Sequence, residues 1–343
     1  MKIDRCGWSA IYLVFTVLFS ALLVRPGSAA GQPDRGLRGP AFAPPGPVVE
    51  MPADWQQAPI KYDAWAGRAD LAVTLDQHLY PALLPSIKRY ADQHRLDIAV
   101  REGTCGVSAG SLAKKEADMA AFCCPPGPTD RLPGLQYHTM GIGALALFVH
   151  KDNPLVDIGY AAAQALYQGK ILRWSELQGG GRAGADLPIR LIGRLHCKAR
   201  PGHWRALLDK DDSYSSGMSE VGAIQDVFQQ VGLNVMAVGG FETLYMAGQY
   251  GGNVKALSID GVSPADLDQL AAGNYPLYFA FNISTWTSAA LANPHVPEFL
   301  RYLMKEMETL DEKFHMVPAA RLRQAGWRFN GNELVGEPAA NGQ

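Results

Sequence analysis

Between residues 70 and 123, short apolar runs alternate with helical periodicity, and that alternation restricts this chain more than any other feature. "DLAVTL" (70–75) is an apolar run of strand length. Apolar residues then recur at Tyr80, Leu83, Leu84, Ile87, Tyr90 and Ala91, a three-to-four spacing that predicts an amphipathic helix, its start blurred by Pro81 and Pro85. "LDIAV" (96–100) reads as a second strand, "SAGSLAKKEA" (108–117) as a helix and "DMAAFC" (118–123) as a third strand. A β-α-β-α-β order calls for a parallel sheet with helices on its faces. Further along, "GIGALALFVH" (141–150), "LPIRLIGR" (187–194), "NVKALSIDGV" (253–262) and "YPLYFAFNIS" (275–284) read as strands, with helices over 160–167, 203–209 and 297–310.

The N-terminus sets the expected compartment. Lys2 and Arg5 precede an uncharged apolar core, Trp8–Val24, and "RPGSAAG" (25–31) follows with a helix breaker and small residues. This is the layout of a cleaved secretory signal peptide over residues 1–30; the competing reading is an uncleaved anchor, since the apolar core just reaches spanning length. Cleavage would remove Lys2, Arg5 and Arg25 against Asp4 alone, taking the chain from 31 basic and 33 acidic side chains to 28 and 32, a formal balance of −4. That balance leaves no electrostatic footprint for nucleic acid or anionic lipid. Residues 31–59 are rich in Pro and Gly and read as a linker, and residues 331–343 as a polar tail.

Four cysteines would survive processing: Cys105, Cys123, Cys124 and Cys197. An even number in an oxidising compartment makes disulfides the default. Yet the four lie in "REGTCGVSAG", "AAFCCPPG" and "GRLHCKARPGHW", each at a strand's carboxyl end. In open α/β sheets that is where ligands bind. Thiolates with imidazole suit Zn(II), Cu(I) or trivalent arsenic, which makes Cys105, Cys123, Cys124 and Cys197, with His196 and His203, candidate metal ligands. A redox role for the thiols is a third reading, weakened by the lack of a Cys-x-x-Cys motif.

Three segments carry a resemblance. "NPLVDIGYAAAQALYQGKILRWSELQGGG" (153–181), "VKALSIDGVSPADLDQLAAGNYPLYFAFNIS" (254–284) and "REGTCGVSAGSLAKKEADMAAF" (101–122) resemble segments of the phosphate-binding-protein-like periplasmic solute-binding proteins, the type 2 periplasmic binding family. The similarity spans roughly residues 68–310. It implies an α/β fold of two lobes, each a mostly parallel sheet flanked by helices, joined by two crossing strands within 141–150 and 275–284. Lobe 1 would comprise 60–145 plus 263–330, and lobe 2 would comprise 146–262.

The resemblance also implies a site. Thr104, Gly106 and Ser108 match the Ser/Thr- and Gly-rich loop that opens the first-lobe helix in such proteins. Cys123 and Cys124 stand where relatives place Ser or Asp. Arg194 matches an arginine of the third loop, but the Ser-Gly-Thr that follows it in relatives is replaced here by "HCKARPGH" (196–203). Arg194, Lys198 and Arg200 remain cations for an anion, while the missing hydroxyls weigh against inorganic phosphate.

The expectation is therefore a non-catalytic, monomeric periplasmic binding protein. It would capture a small anion or thiophilic ion between its lobes for an ABC transporter permease or a membrane sensor. No cofactor follows with certainty from the residues; a bound Zn or Cu(I) ion is the one candidate. The alternatives are a thiol-based redox protein and an interaction protein whose cleft is locked by disulfides.

Overall fold

The computed structural model describes residues 48–177, 186–195, 207–208, 213–289 and 291–339. The expected signal segment lies outside them, as does the helix expected over 203–209 apart from Leu207 and Leu208. No helix among the described residues is long and apolar enough to cross a membrane.

After a short helix, α1 (Ala53–Gln57), the chain follows the alternation expected of it. β1 (Leu71–Asp76) leads into α2 (Leu79–His94), β2 (Ile98–Gly103) into α3 (Cys105–Ala113), and β3 (Met119–Phe122) into a turn. β1 pairs in parallel with both β2 and β3. All six of its residues are buried, because helices cover both faces of such a strand and no polar alternation is needed. Three strands running the same way bring their carboxyl ends to one edge of the sheet.

β4 (Leu135–Ala144) continues into β5 (Ala146–His150), and Leu145 between them is where the chain passes from one sheet to the other. The single strand expected over 141–150 is thus two strands with a break. Beyond it come β6 (Asp157–Ile158), α4 (Tyr160–Tyr167), β7 (Arg190–Gly193), β8 (Ser219–Glu220), α5 (Ile224–Gly232), β9 (Ala237–Glu242), α6 (Leu244–Tyr250), β10 (Val254–Ala256) and β11 (Ser258–Ile259). The chain returns through α7 (Leu267–Ala271) to β12 (Tyr278–Trp286), then α8 (Val296–Glu308), β13 (Met316–Pro318), α9 (Ala319–Gln324), β14 (Arg328–Asn330) and β15 (Glu333–Gly336).

The strands form a six-stranded sheet, β13-β4-β12-β3-β1-β2, and a five-stranded sheet, β10-β5-β9-β7-β8. Each is mixed rather than mostly parallel. The β-α-β portions are parallel, as expected, but β12 enters antiparallel to β3 and β4, and β5 antiparallel to β9 and β10. A chain that leaves a sheet and comes back alongside its own exit must reverse direction. β12 itself stays wholly in the first sheet, so the return crossing is the segment 257–277 rather than the strand expected over 275–284. The amide of Leu145 donates to the carbonyl of Leu277, and that of Leu257 to Leu147, so the two crossings lie side by side.

Two further segments differ from expectation. Part of the presumed linker docks on the first lobe: the Trp55 indole donates to the Ala113 carbonyl at 2.6 Å, and the buried Lys115 ammonium donates to Ala58 O at 2.6 Å while lying over the Trp55 ring. Proline and glycine set the composition there, but one aromatic is enough to anchor the chain. The presumed tail contains β15, whose Leu334 is buried and whose Glu333 pairs with Arg131 at 2.6 Å.

Candidate functional site

Three loops of the first sheet meet where β1, β2 and β3 end. Thr104 is the N-cap of α3, its hydroxyl accepting from the Val107 amide, so the helix starts three residues before the expected 108 and ends at Ala113, four short of the expected 117. Cys105 becomes the first residue of that helix instead of part of a loop. Its sulfur accepts from the Cys123 amide at 3.3 Å.

Cys105 Sγ and Cys123 Sγ are 3.2 Å apart, and Cys123 Sγ and Cys124 Sγ 3.9 Å. Both separations far exceed a disulfide length of about 2.05 Å, so neither pair is bonded. All three sulfurs are buried and lie within 4.8 Å of one another. Asn282, at a bulge of β12, donates to the Cys124 carbonyl at 3.2 Å and accepts from Thr139 at 2.6 Å, which fixes the exit of the cysteine pair.

The loop after β1 adds residues that sequence reasoning passed over. Asp76 Oδ1 accepts from the amides of His78 and Leu79, at 2.9 and 3.4 Å, and so holds the turn that leads into α2. This turns the His78 ring into the cleft against Phe279, with centroids 4.6 Å apart. Asp76, His78 and Cys123 form a second group whose ligand atoms lie within 4.8 Å of one another.

The second lobe answers with a charged pair. Glu242 closes β9, where a register shift leaves Phe241 as an extra residue between Gly240 and Glu242. Phe241 has φ of 64°, a left-handed conformation that costs a bulky residue energy, and such bulges re-aim side chains near binding sites. The re-aimed carboxylate accepts from Arg194 Nη1 at 2.8 Å and from His78 Nε2 at 3.2 Å. Arg194 Nη2 donates to Gln77 Oε1 at 3.0 Å. The series Asp76–His78–Glu242–Arg194 thus joins the lobes, each member between 1 and 4% exposed.

Burial opposes a charge on His78, yet the adjacent carboxylates of Asp76 and Glu242 outweigh it and push its pKa up to about 9. Burial likewise opposes ionisation of Glu242, but His78 and Arg194 hold its carboxyl below the usual range.

A cavity of about 450 Å³ opens beside this cluster, lined from the first lobe by Gln77, Tyr80 and Glu102 and from the second by Gln225, Tyr245 and Gln249. Of the other expected residues, Gly106 lies exposed on the first turn of α3. The buried Ser108 hydroxyl accepts from Thr74 at 3.2 Å and is not brought into the cluster. His196, Cys197, Lys198, Arg200 and His203 lie outside the described residues. The signal for Asp76 and His78 was present in "TLDQHL": two potential ligands where a largely apolar strand gives way to a helix. No comparable local signal marks Glu242.

Donor loops at the carboxyl ends of strands in two facing sheets, with crossings side by side, define a cleft-binding α/β architecture. The chain is similar in structure to an ABC-type phosphate transport receptor from Vibrio cholerae, at 19% identity and a TM-score of 0.58 over 72% of this chain and 99% of that one. It is also similar to a protein from Clostridium perfringens described as a phosphate ABC transporter substrate-binding protein with bound phosphate, at 17% identity and a TM-score of 0.63 over 73% and 99%. The chain therefore has the two-lobed periplasmic-binding-protein fold. No protein-family model and no curated protein sequence matches it.

Proposed function

We propose that the protein is a non-catalytic solute-binding protein whose inter-lobe cleft takes up a small thiophilic ion, Zn(II), Cu(I) or trivalent arsenic, for a transporter permease or sensor in the membrane. The observation that carries this reading is the group of three buried cysteine sulfurs within 4.8 Å of one another at the strand ends facing the cleft. The similar structures support a binding role by fold. The signal-peptide-like segment supports export to the periplasm. An oxyanion cargo is less well supported: Arg194, the cation that resemblance assigns to it, already pairs with Glu242 and Gln77.

The test is native mass spectrometry of anaerobically purified protein, followed by thermal melts with Zn(II), Cu(I), arsenite, phosphate and sulfate. A ligand selective for the native state raises the melting temperature with its concentration. Stabilisation by a thiophilic ion, lost in Cys123→Ser, is the expected result. Stabilisation by phosphate or sulfate alone would replace the thiophilic cargo with an anion. The 3.2 Å approach of Cys105 to Cys123 favours one second reading, a reversible thiol switch. Oxidation to a defined disulfide with no ion bound in the reduced form would favour it.

A further inference from the structure

Two buried polar atoms in the cleft have no hydrogen-bond partner: Asp76 Oδ2 and His78 Nδ1. Leaving such atoms dry and unpaired is costly, and in a native site it points to a missing ligand. Asp76, His78 and Cys123 each offer a ligand atom, a carboxylate oxygen, a ring nitrogen and a sulfur, within 4.8 Å of one another. His78 Nδ1 is 3.3 Å from Asp76 Oδ1, but in a direction that makes no hydrogen bond. The other ring nitrogen, Nε2, donates to Glu242 across the lobes. With Nε2–H held by a carboxylate, the ring would give up its Nδ1 proton to offer that nitrogen to a metal ion, the arrangement that orients metal-ligating imidazoles. The strained bulge at Phe241 is what delivers Glu242 to that position.

Building on the ion-binding reading above, we propose that Asp76, His78 and Cys123 form a mixed oxygen, nitrogen and sulfur site for a divalent cation of borderline softness, Zn(II) in type. Glu242 of the second lobe serves as the outer carboxylate that orients His78. Sulfur alone suits Cu(I) equally well; a carboxylate and an imidazole beside one thiolate shift the preference toward Zn(II). The first lobe would hold the ion, and the second would complete the site through Glu242, so that ion binding favours lobe closure.

The test compares Zn(II) and Cu(I) affinities, each by competition with a chromophoric chelator, on reduced native protein and its variants. His78→Gln and Asp76→Asn are each expected to weaken Zn(II) binding by more than about 100-fold, and Glu242→Gln by about 10–100-fold, as for lost outer partners. Cu(I) binding should change by less than about threefold in all three, because its sulfur ligands are intact. Unchanged Zn(II) affinity in His78→Gln, with loss of both ions in Cys123→Ser, overturns this proposal and leaves the cysteine reading standing. Retention of both ions by Cys123→Ser overturns the cysteine reading and this proposal with it. Should the buried variants fail to fold, histidine 15N NMR of the wild type decides: a Zn(II)-induced shift of the His78 Nδ1 resonance supports the proposal, and its absence overturns it.

Discussion

The first lobe brings three sulfurs, an imidazole and a carboxylate into the cleft, whereas the second brings an arginine and a glutamate already paired with each other. The topology behind the two contributions is alike. In each sheet parallel strands end at a common edge, β1, β2 and β3 in one and β7 and β9 in the other. The chemistry at those edges is unlike. First-lobe donors lie at the ends of strands and are fixed by local hydrogen bonds, the Thr104 cap of α3 and the Asp76 turn that leads into α2. The second lobe's Glu242 needs a bulge to arrive, and its charge is met from both sides by Arg194 and His78. A buried ion pair of this kind loses most of its Coulomb energy to desolvation, and its better-attested use is to specify one arrangement among several. One lobe thus carries donors suited to a ligand, and the other carries the contact that registers the lobes.

Breaking the ion pair that supports the registering contact should have the largest effect. Arg194→Ala leaves Glu242 buried with one partner fewer, and urea unfolding should show a loss of about 3–5 kcal/mol. A loss below about 1 kcal/mol would mean that Arg194 does not neutralise a buried Glu242 in solution.

Acid should act next, through the first lobe. Burial pushes the pKa of His138 down to about 4. Its neutral ring lies between Thr285 and Asn332, at 2.9 and 3.1 Å. An unfolded histidine titrates near 6.5, so between pH 6.5 and 4 the unfolded chain takes up a proton that the folded one refuses. Stability is full above pH 6.5 and falls across that window by roughly 3 kcal/mol. Chemical denaturation at pH 7, 5.5 and 4 checks this, and His138→Gln should flatten that part of the profile.

A smaller effect is expected behind the bulge in the second lobe. A Cβ at Gly240 would stand 2.4 Å from Leu147 Cδ2 and 2.5 Å from the Tyr167 hydroxyl. Gly240→Ala should therefore cost about 1–3 kcal/mol through overpacking, read as a lower melting temperature. Smallest is Thr104→Ala, about 1 kcal/mol from the lost cap of α3. Amide exchange should report that loss at Cys105–Val107 and leave the second lobe unchanged, which separates the two regions directly.

Much of the first lobe was legible because its signals are local. "DLAVTL", "LDIAV" and "DMAAFC" are strands whose apolar runs need no knowledge of their neighbours, the first and third buried and the second a half-buried edge strand, and α4 spans the expected 160–167. The start of α3 was misplaced because a threonine cap outweighs apolar spacing in fixing where a helix begins. The mixed character of the sheets was hidden because strand direction depends on where the chain crosses, here at Leu145, and a residue pattern does not record it. Trp55 and Leu334 were read as linker and tail because composition reports an average, while docking depends on single residues.

By itself the sequence determined that cysteines would stand at the carboxyl ends of β2 and β3, since strand periodicity fixes where a run ends and parallel pairing puts those ends at one edge. Only the tertiary structure decided that His78 would meet Glu242, 164 residues away, with Asp76 and Cys123 beside it. That meeting needs two lobes brought together by two crossings and a carboxylate turned by a strained bulge. Neither is encoded in any local period, because both arise from distant backbone segments meeting in space.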